Sequence, residues 1–256
     1  MKQYKGYLID LDGTLYYGTR RIPSAEQFVR ELKEQNLAFL FLTNNATRTS
    51  SQIVENIREN YELEIGLENV YTSTQALISY MKEHCLGQVV HVVGEAALYQ
   101  QVEAAGFTIT DGIEAEVVVQ GLNRQATYEE LALAAMIIRN GAAFLVTNAD
   151  QTIPTEKGIM PSSGALTAFL EVASGKQGLV MGKPNALIVE AALKELNLKP
   201  QDVLLIGDKY ETDILAGINA GVDTLLVLTG VTQAVDVVAL PKQPTYVLEN
   251  LSEWVF

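Results

Sequence analysis

The chain is 256 residues long, 48% hydrophobic and 19% charged, with a formal net charge of −13. That apolar content excludes a disordered chain and supplies one large or two medium globular domains, while the negative balance disfavours nucleic acid and anionic membrane surfaces, which are bound mainly through Lys and Arg. A single cysteine, Cys85, excludes an intramolecular disulfide and any zinc cluster built from cysteines.

With no h-region and cleavage site, and no run of about 18 apolar residues, the expectation is a soluble cytoplasmic protein. The first apolar run, residues 7–9, ends in Asp10-Leu11-Asp12-Gly13-Thr14-Leu15, which sets two carboxylates one residue apart beside a turn-permitting glycine and a hydroxyl. Residues 24–35 then read as a helix through Ala25, Phe28 and Leu32, and 37–42 as a strand ending in Thr43-Asn44-Asn45. Residues 49–60 carry Ile53, Val54 and Ile57 on one helical face. The helix between the first two strands makes them parallel. A short strand at 70–72 and a helix at 73–83 bearing Leu77, Ile78 and Met81 follow.

The alternation starts afresh near residue 88, with strands at 89–93, 107–109 and 116–120 and a helix at 95–105. Thr127 with Glu130 three residues on forms a capping box for a helix to residue 140, followed by a strand at 144–147. Ser162 or Ser163 opens a helix to about residue 173, and 179–181 is a strand. Pro184 suits the first turn of a helix over 185–196. A strand at 203–206 ends in Gly207-Asp208, a helix covers 212–220, and 224–228 is a strand. Strands alternating with helices throughout indicate α/β layers on parallel sheet.

Asp10 with Asp12, Thr43 and Asp208 each end a separate apolar strand, and Lys183 follows another. Parallel strands align their carboxyl ends along the one edge where open α/β sheets bind ligands. Carboxylates converging there would repel and their pKa values would rise. A divalent cation resolves that, and oxygen ligands without His or Cys favour Mg²⁺, which leaves positions for water and phosphate oxygens. Gly182-Lys183 is not a nucleotide P-loop, because Pro184 stands where a Ser or Thr is needed.

Asp10-Leu11-Asp12-Gly13-Thr14, Thr43, Gly182-Lys183-Pro184 and Gly207-Asp208 with Thr212-Asp213 resemble, in order, the four motifs of the haloacid dehalogenase superfamily. Thr43-Asn44-Asn45, the Val117-Val118-Val119 strand and Thr147-Asn148-Ala149-Asp150 extend the resemblance to its NagD-like, nitrophenylphosphatase-like branch. That resemblance implies a Rossmann-like core of residues 1–78 plus 180–256, with an α/β cap inserted over 79–179. It implies a Mg²⁺-dependent phosphatase acting on small phosphomonoesters: sugar phosphates, phosphorylated sugar acids or nucleoside monophosphates, and 4-nitrophenyl phosphate in vitro. Asp10 would be the nucleophile and Asp12 the general acid and base, with Mg²⁺ held by Asp10, Asp208 and the main-chain carbonyl of Asp12, and Asp213 one layer behind. Asp12, Thr43, Asn44, Asn45 and Lys183 would bind substrate, with Thr43, the Asn44 amide and Lys183 holding the charge of the transferring phosphoryl group. An acid at Asp12 suits an alkoxide leaving group rather than a halide. A homodimer through the cap is compatible with the resemblance; a phosphomutase and a non-catalytic phosphometabolite-binding protein are the competing readings.

His84, His91 and Cys85 lack metal-ligand spacing and read as structural. Asn148 and Asp150 either contact substrate or cap a turn, Tyr210 and Glu211 either frame the pocket entrance or do not, and Arg20, Arg21 and Arg48 read as surface cations, Arg48 following Thr43 closely enough to lie near the cleft mouth.

Overall fold

The computed structural model describes residues 2–155 and 157–256. β1 (Gly6–Ile9) is buried along its whole length. It is followed by a hairpin, β2 (Tyr16–Tyr17) and β3 (Arg20–Arg21), too short to show any hydrophobic alternation. α1 (Pro23–Glu34) begins on Pro23, whose missing N–H costs nothing in a first turn, and buries Phe28, Val29 and Leu32. β4 (Ala38–Thr43), α2 (Ser50–Tyr61) and β5 (Val70–Thr72) follow, α2 turning Ile53, Val54 and Ile57 inward. α3 (Ser73–Glu83) is capped reciprocally: the Thr72 hydroxyl accepts from the Gln75 N–H at 3.1 Å, and the Gln75 side chain accepts from the Thr72 N–H at 2.9 Å.

The middle of the chain forms β6 (Val89–Val93), α4 (Ala96–Ala104), β7 (Thr108–Ile109), β8 (Val117–Gln120), α5 (Tyr128–Arg139) and β9 (Ala143–Val146). A hairpin of β10 (Thr152–Thr155) and β11 (Gly158–Pro161), absent from the sequence reading, precedes α6 (Ser163–Ser174) and β12 (Leu179–Val180). Only half of the capping box expected before α5 forms. The Thr127 hydroxyl accepts from the Glu130 N–H at 3.2 Å, but the Glu130 carboxylate turns to the Asn123 amide at 3.1 and 3.2 Å.

The last section holds α7 (Ala186–Leu196), β13 (Val203–Gly207), α8 (Leu215–Asn219), β14 (Asp223–Val227), α9 (Ala234–Val237) and β15 (Tyr246–Leu248). Asn185 caps α7, its Oδ1 accepting from the Leu187 N–H at 3.3 Å, so Pro184 precedes the cap instead of occupying the first turn. A π turn over Tyr210–Ile214 replaces the start of the helix expected from residue 212. Its reason is local: the Asp213 carboxylate accepts from the Lys209 N–H at 3.1 Å, which pulls the backbone into a wider turn of the kind that recurs at functional sites.

The chain divides into two compact units. One holds the chain up to Thr43, Ser50–Tyr71 and Lys183–Phe256; the other holds Asn44–Thr49 and Thr72–Gly182. These joints differ from 78/79 and 179/180, and for a physical reason. A joint at 78 would cut through α3, and one at 179 would separate β12 from the start of its own strand, which pairs with β9 through Leu179↔Leu145 and Val180↔Val146.

The first unit is built on a six-stranded sheet in the order β15-β14-β13-β1-β4-β5. β1 pairs parallel with β13 and β4, Ile9 lying level with Ile206 and Phe41. One residue further, Asp10, Leu42 and Gly207 therefore share a level, and Thr43 and Asp208 come next. Strands buried on both faces explain the near-continuous apolar runs, such as Val203 to Ile206. The second unit has its own parallel sheet, β12-β9-β8-β6-β7. Among the described residues no helix is long and apolar enough to cross a membrane.

Candidate active site

At the carboxyl edge of the first sheet the chain leaves β1 in a tight turn, the Leu15 and Tyr16 N–H groups both donating to the Leu11 carbonyl at 2.8 and 3.1 Å. Leu11 and Leu15 are buried and hold the turn from below, while Asp12 stays exposed. Gly13 is required twice over. Its φ is +99°, and a Cβ there would run into the Asp208 carboxylate.

Lys183 closes the group. Its ammonium lies 2.5 Å from Asp10 Oδ1 and 2.7 Å from Asp213 Oδ1, and donates to the Leu42 carbonyl at 3.0 Å. The side chain is 3% exposed, against 13% for Asp10 and 2% for Asp213. Burial pulls the ammonium down, but Asp10 and Asp213 outweigh it and hold Lys183 above the ordinary lysine range. Burial pushes the Asp10 carboxyl well above the ordinary aspartate value; Lys183 opposes this, and Asp213 and Asp208 reinforce it.

Asp208 is pushed up to about 6, first by burial and then by Asp213. Its Oδ2 accepts from the Val231 N–H at 2.7 Å, and its main-chain carbonyl from the Thr232 N–H at 3.1 Å. A Cβ on Gly230 would collide with the same carboxylate. The Thr229 hydroxyl donates to the Gly13 carbonyl at 2.6 Å and so joins this loop to the first turn. Residues 229–232 are the part of the site that sequence reasoning missed. The available signal was position: they follow β14, whose end lies on the same sheet edge as those of β1 and β13.

Carboxylate oxygens of Asp10, Asp208 and Asp213 all lie within 4.8 Å of one another. Three carboxylates against one ammonium leave two negative charges without a counter-charge, in a pocket where two of the carboxylates are raised by burial and mutual repulsion. This donor set fits a hard divalent cation. A cation there would compete with the proton on Asp208. Because the folded protein holds that proton to a higher pH than the unfolded chain does, stability without metal falls as pH rises through the window between the ordinary aspartate value and about 6. We therefore expect millimolar Mg²⁺ to raise the Tm by about 5 °C or more at pH 7.5 and by less than half as much at pH 5.5, as read by thermal scans at the two pH values. An equal rise at both would remove Asp208 from the site.

The remaining sequence candidates divide. Thr43 ends β4 at this edge and is buried. Asn44 and Asn45 group with the second unit: the Asn44 carbonyl accepts from Ser73 Oγ at 3.1 Å and Asn148 Nδ2 at 3.0 Å, and Asn45 Oδ1 accepts from the Thr47 N–H and hydroxyl, both at 2.8 Å. Asn148 Oδ1 accepts from the Asp150 N–H at 3.2 Å, which is turn chemistry. Tyr210 does not frame an entrance, since it is 4% exposed, packs with Ile214 and Leu226, and accepts from the Lys242 N–H. His84 closes α3 stacked on Tyr80, and His91 is buried in β6 with Nδ1 3.0 Å from the Thr110 carbonyl. Arg21 is exposed, as read, and pairs with the buried Glu26.

Two family models match the chain: haloacid dehalogenase-like hydrolase over residues 7–108 and HAD-hydrolase-like over 180–254. The 5'-nucleotidase YutF of Bacillus subtilis is 43% identical over 255 residues, covering 100% of this chain and 99% of that protein. An acid sugar phosphatase of Staphylococcus aureus is 42% identical over 253 residues, covering 99% and 97%. The chain belongs to the haloacid dehalogenase-like hydrolases. Within them it falls in the NagD-like branch: the structure of NagD from E. coli K-12 superimposes with a TM-score of 0.93 at 31% identity over 99% of each chain. Like these haloacid dehalogenase relatives it is a phosphatase, with the family's α/β fold and a cluster of acids suited to a divalent metal.

Proposed function

We propose that the chain hydrolyses small phosphomonoesters with Mg²⁺ in two steps through a phospho-aspartate on Asp10. The observation that carries this reading is the Asp10 carboxylate at the sheet edge, one oxygen held by Lys183 at 2.5 Å and Asp208 and Asp213 close beside it. Asp10 attacks phosphorus as the bond to the leaving oxygen breaks, and Asp12 gives that oxygen a proton. Asp12, now a carboxylate, takes a proton from water; the hydroxide attacks the same phosphorus, the bond to Asp10 breaks, and inorganic phosphate leaves. Thr43 and Lys183 face the charge on the phosphoryl oxygens, where most of the catalysis in phosphoryl transfer resides. Mg²⁺, held by Asp10, Asp208 and the Asp12 main-chain carbonyl with Asp213 behind, would neutralise that charge further.

The relatives named above act, by their names, on nucleotides and sugar phosphates, which supports metabolites of that size as substrates of this chain. A phosphate-release panel of nucleoside monophosphates, sugar phosphates, phosphorylated sugar acids and 4-nitrophenyl phosphate tests it. Mg²⁺-dependent release from at least one class is expected; isomerised product without inorganic phosphate would make the chain a mutase, and tight binding without release a sensor.

The division of labour between the two acids has its own test. Asp12→Asn should lower kcat/KM for an alkyl phosphate by about 10²- to 10⁴-fold, and much less for 4-nitrophenyl phosphate, whose leaving group needs little protonation. Equal losses on both would remove Asp12 as proton donor.

A further inference from the structure

Asp12 stands outside the buried cluster, and its carboxylate is held by a different part of the molecule. Asp12 Oδ1 accepts from the Gly18 N–H at 3.0 Å, at the turn between β2 and β3. Gly18 has φ +60° with open space where a Cβ would stand, so glycine is needed there for its conformation rather than for room. Its carbonyl accepts from the Tyr61 hydroxyl at 3.3 Å. The Tyr61 ring, 3% exposed, stacks on Tyr16 of β2 with centroids 4.7 Å apart and planes 13° off parallel. Both backbone polar groups of Gly18 are therefore engaged, the N–H by Asp12 and the carbonyl by the end of α2.

The second strand of the hairpin is fastened as well. Arg21 donates through Nε and Nη2 to the two oxygens of Glu26 at 2.7 and 2.6 Å, and through Nη1 and Nη2 to Glu62 at 3.0 and 3.3 Å. Glu26 is a carboxylate 3% exposed on the apolar face of α1, with Arg30 3.5 Å away. Only the Glu26 end of this cluster is buried, the Arg21 side chain being 39% exposed; an ion pair open to solvent contributes little stability, but its fork geometry specifies position.

We propose that Tyr61 and Arg21 are positioning residues for Asp12. They hold the hairpin so that the Gly18 N–H engages Oδ1. That bond occupies Oδ1 and fixes the plane of the carboxyl group, so in the proposed reaction Oδ2 is the oxygen that exchanges the proton. The inference rests on Asp12 being the proton donor of the proposed reaction, and deepens it by naming what aims the proton.

The test compares kcat/KM, which reports the first half-reaction, for an alkyl phosphate and for 4-nitrophenyl phosphate in wild type, Asp12→Asn, Tyr61→Phe and Arg21→Lys. Tyr61→Phe keeps the stacked ring and removes only the hydroxyl. It should cost the alkyl phosphate about fivefold, the worth of one hydrogen bond, and the nitrophenyl ester less than about twofold, with faster exchange of the Gly18 amide proton. Arg21→Lys, which keeps the charge but loses the fork, should shift the ratio the same way. If Asp12→Asn separates the two substrates while Tyr61→Phe and Arg21→Lys scale both equally or change neither, the positioning role falls and the proton-donor reading stands. If Asp12→Asn itself fails to separate them, both readings fall. Should Arg21→Lys fold poorly, Tyr61→Phe alone decides.

Discussion

Asp10→Asn is expected to lose at least about four orders of magnitude in kcat while keeping its fold and, without metal, its stability. The loss follows from chemistry, since an amide oxygen is a poor nucleophile toward phosphorus and would leave no aspartyl-phosphate to hydrolyse. The retained stability follows from electrostatics. Burial, Asp213 and Asp208 all push the Asp10 carboxyl up, and only Lys183 opposes them, so a neutral isostere removes a charge that the folded pocket disfavours. The metal-free variant should melt no lower than wild type at pH 7.5, whereas the rise in Tm on adding Mg²⁺ should shrink, because one of three converging carboxylates is gone. A variant that turns over within tenfold of wild type would overturn the phospho-aspartate route, and one that melts far lower without metal would overturn the charge account.

Those expectations depend on residues that differ in how readily the chain announces them. Asp10, Thr43, Lys183 and Asp208 were legible because each ends or follows an apolar run, and parallel strands turn that one-dimensional fact into a shared edge. The loop at residues 229–232 was not, since it acts through the Val231 and Thr232 N–H groups, which almost any residue would supply. Gly230, which a Cβ would drive into Asp208, and Thr229, whose hydroxyl reaches the Gly13 carbonyl, are there by side-chain requirement, but neither stands at the end of an apolar run. Glu26 was hidden for the opposite reason: a charge at an inward position of α1 looks like noise in the helical period until Arg21 is seen to reach it from the hairpin. The hairpin itself has two residues per strand, shorter than any periodicity test, and its stack of Tyr16 on Tyr61 is fixed by tertiary packing alone. The joints between the units shifted because α3 and β12 remain whole, a constraint that burial of complete elements imposes and composition does not show.

Lys183→Met should be damaged in both respects, and comparison with Asp10→Asn separates the two. The ammonium is 3% exposed and lies 2.5 Å from Asp10 and 2.7 Å from Asp213. Removing it leaves Asp10, Asp213 and Asp208 to repel one another and takes its donor from the Leu42 carbonyl, and breaking one partner out of a buried charge group costs about 3–5 kcal/mol. In a chain of this size that is a fall in Tm of roughly 10 °C without metal at pH 7.5, partly restored by Mg²⁺, which supplies charge of the same sign. Turnover should fall by about 10³-fold or more, since in the proposed reaction the same ammonium both faces the phosphoryl oxygens and holds the nucleophile. The double variant Lys183→Met with Asp10→Asn distinguishes stability from chemistry. Asp10 and Lys183 are in contact, so their effects should couple rather than add: the second substitution removes the carboxylate that the first left unpaired, and the Tm should recover by several degrees while activity stays absent. A double variant less stable than Lys183→Met alone would mean that Lys183 supports the fold through its stem and its bond to Leu42, and that the charge balance among Asp10, Asp213 and Asp208 is not what holds this edge of the sheet together.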